Sequence, residues 1–225
     1  MTNRYTIFTC FAFAALLLTG CASKVRFPDY YVLAIAPSKD PPSNESPKLA
    51  AVAVQRFETP AYLRQGRIVY RQTPEQIGFY DYHRWASDPG QVVTSAVIDY
   101  VRSAGVFSIV EAYSGQERAD YLLSGRLERL DETDYNKAVQ VEIRLSAQLV
   151  NRKTGVAVWT GDVTTTANVG DRQVSSVVRA MDQATKEGIE QLVLGMKKQL
   201  AATKMTAETS AAPAENKAFD SGVQQ

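Results

Sequence analysis

The sequence predicts an α/β protein of the α+β sandwich type, in which two main helices pack on a mixed, largely antiparallel sheet. Residues 137–150 alternate apolar and polar side chains with a strict period of two, which is typical of a strand with one buried and one wet face. Residues 88–105, and a longer segment from residue 173 onward, repeat apolar residues at intervals of three and four, the pattern of amphipathic helices. About 180 residues between the two ends of the chain are enough for one domain with a full core.

Four strands are predicted in the first half of the chain, at residues 30–36, 49–57, 67–71 and 77–82. The first is rich in aromatic and β-branched residues and is apolar on both faces, so we expect it at the centre of the sheet. The third and fourth are joined by a turn at residues 72–75, which indicates a hairpin. Because side chains alternate along a strand, Tyr80 and Tyr82 are expected on one side of this hairpin.

The first helix has start and stop signals. Asp88 is a suitable N-cap, Pro89 fits the first helical position, and Gly105 stands where a helix C-terminus favours glycine. Further strands are predicted at residues 107–112, 121–130, 137–150 and 156–166. In the closing helix Gly188 and Gly195 lie on or beside the apolar stripe, so we expect both to allow close approach to the sheet.

Charge and cysteine content argue against several classes of function. The chain has 225 residues, with 25 Lys and Arg against 24 Asp and Glu, and this neutral balance gives no indication of a nucleic-acid partner. Cys10 lies in the N-terminal apolar segment and Cys21 directly follows it, so the rest of the chain has no disulfide or thiol chemistry. The chain has a single histidine, His83, which argues against a histidine metal cluster or a Ser-His-Asp triad. His83 itself is interpreted as a surface or rim residue. No metal, cofactor or catalytic residue is expected.

The N-terminal segment predicts export and lipid attachment. Residues 1–20 carry one charge, Arg4, and an apolar run through Leu18 before small residues and Cys21, which is the layout of a secretory signal peptide. The tetrapeptide Leu-Thr-Gly-Cys at residues 18–21 resembles the lipobox of bacterial lipoproteins. This resemblance implies that Cys21 becomes the acylated first residue of the mature chain, and two or more acyl chains hold stably in a membrane. The alternative is that Cys21 is an ordinary small apolar residue near a cleaved signal.

The predicted regions are a signal peptide at residues 1–20, a lipidated tether at 21–29, an α/β domain at 30–202 and a disordered tail at 203–225. The tail is expected to be disordered because it is mostly Ala, Thr, Glu, Ser, Pro and Gln, with almost nothing to bury. Ala22, rather than an aspartate, follows the cysteine, and by the sorting rule of enteric lipoproteins this indicates the outer membrane. We therefore expect a domain attached to the periplasmic face of that membrane.

Residues 62–85 are the part of the chain densest in aromatic residues and arginine, the types that dominate binding hot spots, and they predict a partner-binding surface. The candidate contact residues are Tyr70, Arg71, Tyr80, Tyr82, Arg84 and Trp85. The alternative is that these rings cap the hydrophobic core, which is the preferred interpretation for Trp85. Asp131, Glu132 and Asp134 form a second polar cluster, but their position after a predicted strand indicates a solvated connection rather than a catalytic site.

Several segments carry a family resemblance. They are the lipobox, the opening Tyr-Tyr-Val-Leu of residues 30–33, Val69-Tyr70-Arg71, the run from Phe79 to Ala86 before Asp88-Pro89, Gly125-Arg126-Leu127, and Trp159-Thr160-Gly161 before the closing helix. Over about residues 30–200 the chain resembles the ABC-type transport auxiliary lipoprotein family, whose best-known branch is the PqiC lipoproteins. The resemblance implies a non-enzymatic accessory of envelope systems that contain mammalian-cell-entry (MCE) domain proteins and move phospholipids or other lipids between the inner and outer membranes.

The expected partners are, by this resemblance, an MCE-domain protein and its inner-membrane transport partners, together with the membrane through the lipid anchor at Cys21. A homo-oligomer is compatible with the same role. The alternative function is an outer-membrane lipoprotein that scaffolds or activates a cell-wall or secretion complex. A third, a lipid-processing enzyme, has no residue in the sequence that can be nominated for catalysis.

Overall fold

A long strand near the middle of the sheet organises the fold. The computed structural model describes residues 26–37, 49–115, 118–134 and 138–211, with side chains as far as residue 203. The described strands are β1 (Asp29–Tyr31), β2 (Val52–Val54), β3 (Arg67–Arg71), β4 (Ile77–Trp85), β5 (Val110–Ala112), β6 (Tyr121–Thr133), β7 (Gln140–Asn151) and β8 (Ala157–Asn168). The helices are α1 (Pro89–Ser103) and α2 (Val174–Ala211), and a short 3-10 helix covers Leu63–Gln65.

The central strand, β6, has neighbours along both of its edges. One edge pairs antiparallel with β7, which pairs in turn with β8. The other edge is shared, because residues 121–123 pair with β2 and residues 131–133 pair with β3, both in parallel. β5 lies outside β2, whereas β3 forms an antiparallel hairpin with β4, and β1 lies parallel to β4. This mixed, mostly antiparallel open sheet with two helices confirms the predicted fold class.

The alternation along β7 is the predicted one. Its buried residues are Val141, Ile143, Leu145, Ala147 and Leu149, whereas Arg144 and Gln148 are exposed. α2 packs across this buried face and across β8. The buried stripe of the helix comprises Val178, Met181, Thr185, Ile189, Leu192, Val193 and Met196, as its apolar period predicts.

The two glycines of α2 differ in their surroundings. A Cβ atom at Gly188 would lie 3.3 Å from both Leu145 Cδ1 and Thr165 Oγ1, so the absence of a side chain lets the helix approach the sheet as expected. A Cβ atom at Gly195 would have nothing within 4 Å, and this residue is exposed. The prediction of close approach at Gly195 is therefore wrong, because the residue lies beside the stripe rather than on it.

α1 begins and ends as its caps predict. The Asp88 carboxylate accepts a hydrogen bond from the Gln91 N–H at 3.0 Å, and Pro89 occupies the first helical position. Gly105 follows the helix with a φ of 67°, a left-handed conformation that glycine adopts without strain. Inside the helix, the buried Thr94 hydroxyl accepts from the Phe57 N–H at 2.9 Å. That bond attaches α1 to the chain that follows β2.

The first strand differs from its prediction in length and in position. β1 holds three residues and lies outside β4, at an edge of the described sheet, so the prediction of a central strand at residues 30–36 is wrong. After Tyr31 the chain leaves the sheet and crosses the helices. The Ala34 N–H donates to Asp182 of α2 at 2.8 Å, and the Tyr100 hydroxyl of α1 donates to the Ala36 carbonyl at 2.8 Å. The segment after Tyr31 is therefore attached to the helices by hydrogen bonds of its backbone and not by pairing with a strand.

Other elements also differ from their predicted boundaries. β2 covers Val52–Val54 rather than residues 49–57, and β6 continues to Thr133, beyond its predicted end at residue 130. α2 continues to Ala211, so the predicted boundary between domain and tail at residue 202 falls inside a helix. The predicted signal peptide, Cys21 and residues 212–225 lie outside the described residues.

Candidate functional site

The β3–β4 hairpin carries all six predicted contact residues. Tyr70 of β3 pairs with Gly78 of β4, and its ring lies over this glycine so closely that a Cβ atom there would meet Tyr70 Cζ at 2.3 Å. Tyr80 meets the same ring edge to face, with a centroid distance of 5.2 Å. Gly78 therefore provides the space in which the two tyrosines pack together.

A bulge in β4 separates Tyr80 from Tyr82. Val69 pairs with Phe79 and Arg67 pairs with Arg84, so residues 80–83 lie opposite a single residue of β3 and the regular alternation is interrupted. Tyr80 contacts His83, with ring centroids 5.5 Å apart, and is partly buried. Tyr82 is 40% exposed, and the Arg26 guanidinium lies over its ring at 4.7 Å. The two tyrosines expected on one side thus have different neighbours.

Arg71 belongs to a buried ionic network rather than to an open surface. Its Nε donates to Asp131 Oδ2 at 2.5 Å, and the same oxygen accepts from Arg129 Nε at 2.9 Å. Arg129 reaches on to Glu142 of β7, with Nη1 2.6 Å from Oε1. The Asp131 side chain is fully buried, and that of Arg71 is 13% exposed. The network ties β3, β6 and β7 together beside the ring of Tyr62, which lies 5.8 Å from the Arg71 guanidinium.

The other two carboxylates of the cluster also have partners. Glu132 is 5% exposed and accepts from the Tyr80 hydroxyl at 2.7 Å. Burial raises the pKa of Glu132, and the charge of Asp134 adds to this, although the hydrogen bond from Tyr80 acts in the opposite direction. Asp134 pairs with Arg172, whose side chain is 69% exposed. Burial and the neighbouring Glu132 also raise the pKa of Tyr80, so its hydroxyl stays protonated and donates.

The expectation of a solvated connection at Asp131, Glu132 and Asp134 is therefore wrong for the first two residues. They lie inside β6, which continues between β3 and β7. Arg71 of β3 and Arg129 of β6 donate to Asp131, and Tyr80 of β4 donates to Glu132. Within the described part of the chain, no group of three or more His, Cys, Asp or Glu residues is arranged to hold a metal ion. The arrangement holds strands together, and each of these carboxylates already has a side-chain partner.

Trp85 and Arg84, the last two predicted contact residues, have opposite environments. Trp85 is 5% exposed and belongs to the hydrophobic core, which confirms the core-capping interpretation. Arg84 is partly exposed and lies between Arg67 of β3 and Tyr30 of β1 in the sheet. His83, expected at the surface or rim, is largely covered, with its Nδ1 3.1 Å from the Tyr31 hydroxyl and a side chain that is 19% exposed.

Surface clefts of the described domain include two that bear on the candidate site. A polar one of about 470 Å³ crosses β6, β7 and β8, and its lining includes Arg126, Gln148 and Asp162. A second, of about 330 Å³, lies beside the hairpin and is lined by Tyr70, Gln72, Phe79, Tyr80, Asp81, Glu132, Asp134 and Arg172. The second cleft brings Tyr70 and Tyr80 of the predicted contact set next to the carboxylates of Glu132 and Asp134.

None of the helices in the described part of the chain combines the length and the apolar character that a membrane-spanning helix needs.

Comparison with known proteins assigns the chain to a family. Residues 31–193 match the family model described as the ABC-type transport auxiliary lipoprotein component. The chain belongs to this family. The matched range contains the hairpin, the ionic network of Asp131 and both helices as far as residue 193.

Solved structures resemble this auxiliary lipoprotein in fold. Protein XCC0632 from Xanthomonas campestris matches with a TM-score of 0.66 at 18% identity, covering 78% of this chain and 99% of that one. The crystal structure of an uncharacterized protein matches with a TM-score of 0.55 at 16% identity, over 77% of this chain and 99% of that one. No curated protein matches the sequence significantly.

Three large apolar residues near the N-terminus of the described chain are exposed, and two of them belong to the strand predicted at the centre of the sheet. Phe27, in the predicted tether, is 79% exposed, and Tyr30 and Val32, in that predicted strand, are 65% and 61% exposed. We call these three residues the N-terminal edge patch. The sign available in the sequence was their position in the predicted tether or shortly after it, but the apolar character of residues 30–36 favoured a buried strand. The patch adjoins the hairpin, because Tyr30 pairs with Arg84.

Proposed function

We propose that this auxiliary lipoprotein is held at the periplasmic face of the outer membrane by acyl chains on Cys21. There it serves, without catalysing a reaction, an ABC transport system that contains an MCE-domain protein and moves lipid between the two membranes. The observation that carries the proposal is the family match at residues 31–193, which begins shortly after the lipobox cysteine. A stable acyl anchor would keep the domain at one membrane while a partner reaches it from the other.

The hairpin supplies the proposed contact with the MCE-domain partner. Tyr82 lies in the bulge of β4 and Arg84 directly follows the bulge, and both are at least partly exposed. Arg84 makes no salt bridge with any of the described residues, so its guanidinium is suited to a carboxylate of the partner or a lipid headgroup. Arg71 and Trp85 act indirectly in this proposal, since one is held by Asp131 and the other lies in the core.

Site-specific photocrosslinking in whole cells tests the contact. A photoreactive phenylalanine analogue replaces Tyr82 in one strain and Tyr113 in another. The two tyrosines are matched in exposure, at 40% and 38%, but Tyr113 follows β5, which pairs with β2 and is not part of the β3–β4 hairpin. We expect the MCE-domain protein to be captured from position 82 and not from position 113.

Capture of a cell-wall or secretion protein from position 82 would instead support the alternative function, and equal capture from both positions would contradict the proposed surface.

A second experiment tests the lipid anchor. Cys21→Ala removes the sulfur that would be acylated, so we expect the protein to leave the membrane fraction, and transport to be lost, while the circular dichroism spectrum of the domain is unchanged. A soluble Cys21→Ala protein with full transport activity would count against the role of the anchor.

A further inference from the structure

The N-terminal edge patch places three large apolar side chains in solvent within six residues of chain. Exposed fractions of 79%, 65% and 61% at Phe27, Tyr30 and Val32 are high for residues of this type, and no described part of the chain covers them. Isolated exposed apolar residues are ordinary on protein surfaces, whereas a contiguous group of them marks an interaction site. The position of the patch in the chain indicates what it contacts.

Two residues of the patch, Tyr30 and Val32, are held in a fixed orientation by the residues that alternate with them. Tyr31 packs against the core and its hydroxyl meets His83, while Leu33 is 4% exposed. Because side chains alternate along extended backbone, burial of these two turns Tyr30 and Val32 outward. The hydrogen bond from the Ala34 N–H to Asp182 then fastens the segment to α2. The outward side chains are thus presented by an ordered segment of the domain.

The distance along the chain to Cys21 limits where the patch can lie. Six residue steps separate Cys21 from Phe27, and a fully extended chain of that length reaches at most about 20 Å. If Cys21 carries acyl chains, its backbone lies at the membrane surface, and Phe27 stays within that reach. The β7–β8 turn has no such limit. It lies beside Tyr121, at one end of β6, and the twelve residue steps of β6 from Tyr121 to Thr133 extend over up to about 40 Å.

We infer that Phe27, Tyr30 and Val32 rest in the headgroup region of the membrane that holds the anchor, so that the domain sits on the lipid surface in one orientation. This inference rests on the acylation of Cys21 proposed above. Aromatic side chains with a polar tip, such as tyrosine, are favoured at this depth. The charges of the segment itself, Arg26 and Asp29, balance each other, so apolar insertion rather than attraction to anionic lipid provides the contact.

A fluorescent probe on the acylated full-length mature protein tests the inference. Cys21 is blocked by its acyl chain and the mature chain has no other cysteine, so Val32→Cys can be labelled selectively with an NBD fluorophore. Val156→Cys is the matched control, because Val156 is 59% exposed against 61% for Val32 and precedes β8 at the distant turn. Both proteins are reconstituted in vesicles of phosphatidylethanolamine and phosphatidylglycerol, with or without a lipid that carries a headgroup spin label.

We expect the spin-labelled lipid to quench the probe at position 32 severalfold more than the probe at position 156, with little change when salt is added. Phe27→Ser combined with Tyr30→Ser should lower quenching at position 32 to the control level. Equal quenching at the two positions would overturn the inference even if the protein is acylated and bound. A blue shift at position 32 without quenching would indicate a protein interface, such as a second copy, and would overturn it too. Absence of the acyl group in the mass spectrum would remove the anchor on which both proposals depend, so the two failures are distinguishable.

Discussion

Removal of Asp131 should destabilise the domain far more than removal of its neighbour Asp134, although each of these aspartates pairs with arginine. Asp131 is fully buried, and one of its oxygens accepts hydrogen bonds from both Arg71 and Arg129. Breaking a buried ion pair by deleting one partner costs about 3–5 kcal/mol, because the remaining charge is left uncompensated. Arg129 keeps Glu142 as a partner, so we expect Asp131→Ala to cost about 3 kcal/mol, near the lower limit of that range.

The matched control is Asp134→Ala. The Arg172 side chain that pairs with Asp134 is 69% exposed, and an exposed ion pair contributes about 0–1 kcal/mol. Thermal unfolding followed by circular dichroism should show a Tm lower by roughly 6–12 °C for Asp131→Ala, since about 1 kcal/mol shifts Tm by 2–4 °C in a domain of this size. Asp131→Asn, which keeps the shape but not the charge, should fall between the two. Equal Tm values for Asp131→Ala and Asp134→Ala would refute the argument that burial sets the contribution of this network.

Two further predictions concern Glu132 and the helix glycines. Because burial raises the pKa of Glu132, the protonated form stabilises the fold and that contribution is lost as pH rises through the raised pKa. Glu132→Gln should therefore stabilise the protein most at neutral pH, and urea unfolding at several pH values should show this gain shrinking as pH falls through the raised pKa toward the ordinary value of 4.5. A gain that grows on acidification would contradict this sign. Gly195→Ala, in open space, should stabilise the protein by about 0.5–1 kcal/mol, whereas Gly188→Ala, 3.3 Å from Leu145, should stabilise it less; equal gains in the same assay would contradict the packing seen at Gly188.

Local chemistry made β7 and α1 predictable from sequence. The alternation of residues 137–150 depends only on which face of one strand is buried, and the structure buries the apolar set. The caps of α1 likewise act within a few residues, since Asp88 bonds Gln91 and Gly105 follows the helix directly. Where the determining contacts lie close in sequence, the pattern contains the information needed to predict them.

β1 shows a limit of prediction from local sequence pattern. Apolar residues on both faces of a segment indicate burial on two sides, but they do not distinguish a flanking strand from a helix, a membrane or a partner. Here Leu33 is buried in the core, whereas Tyr30 and Val32 remain exposed. The central position predicted for residues 30–36 assumed that burial must come from neighbouring strands, and this assumption failed.

The ionic network shows a second limit. From sequence alone, neighbouring acidic residues such as Asp131 and Glu132 are expected to be exposed to solvent, because burying a carboxylate without a partner is costly. Their partners Arg71 and Tyr80 lie 60 and 52 residues away along the chain, and only the parallel pairing of β3 with β6 brings them together. The bulge at residues 80–83 could not be predicted from the sequence either, since no local pattern specifies which strand residues will be left unpaired.

The segment after β1 has a mechanical consequence for an anchored domain. If Cys21 holds the protein at a membrane, any force between that membrane and a bound partner passes through residues 26–37. Three paired residues in an edge strand would by themselves be a weak attachment, because each backbone hydrogen bond contributes only about 0.5–1.5 kcal/mol net. The segment is also fastened to α2 by the bond from the Ala34 N–H to Asp182 and to α1 by the bond from the Tyr100 hydroxyl to Ala36. An anchored domain pulled from this end would therefore have to break its attachments to the sheet and to both helices before the segment separates, and not only the pairing of three residues.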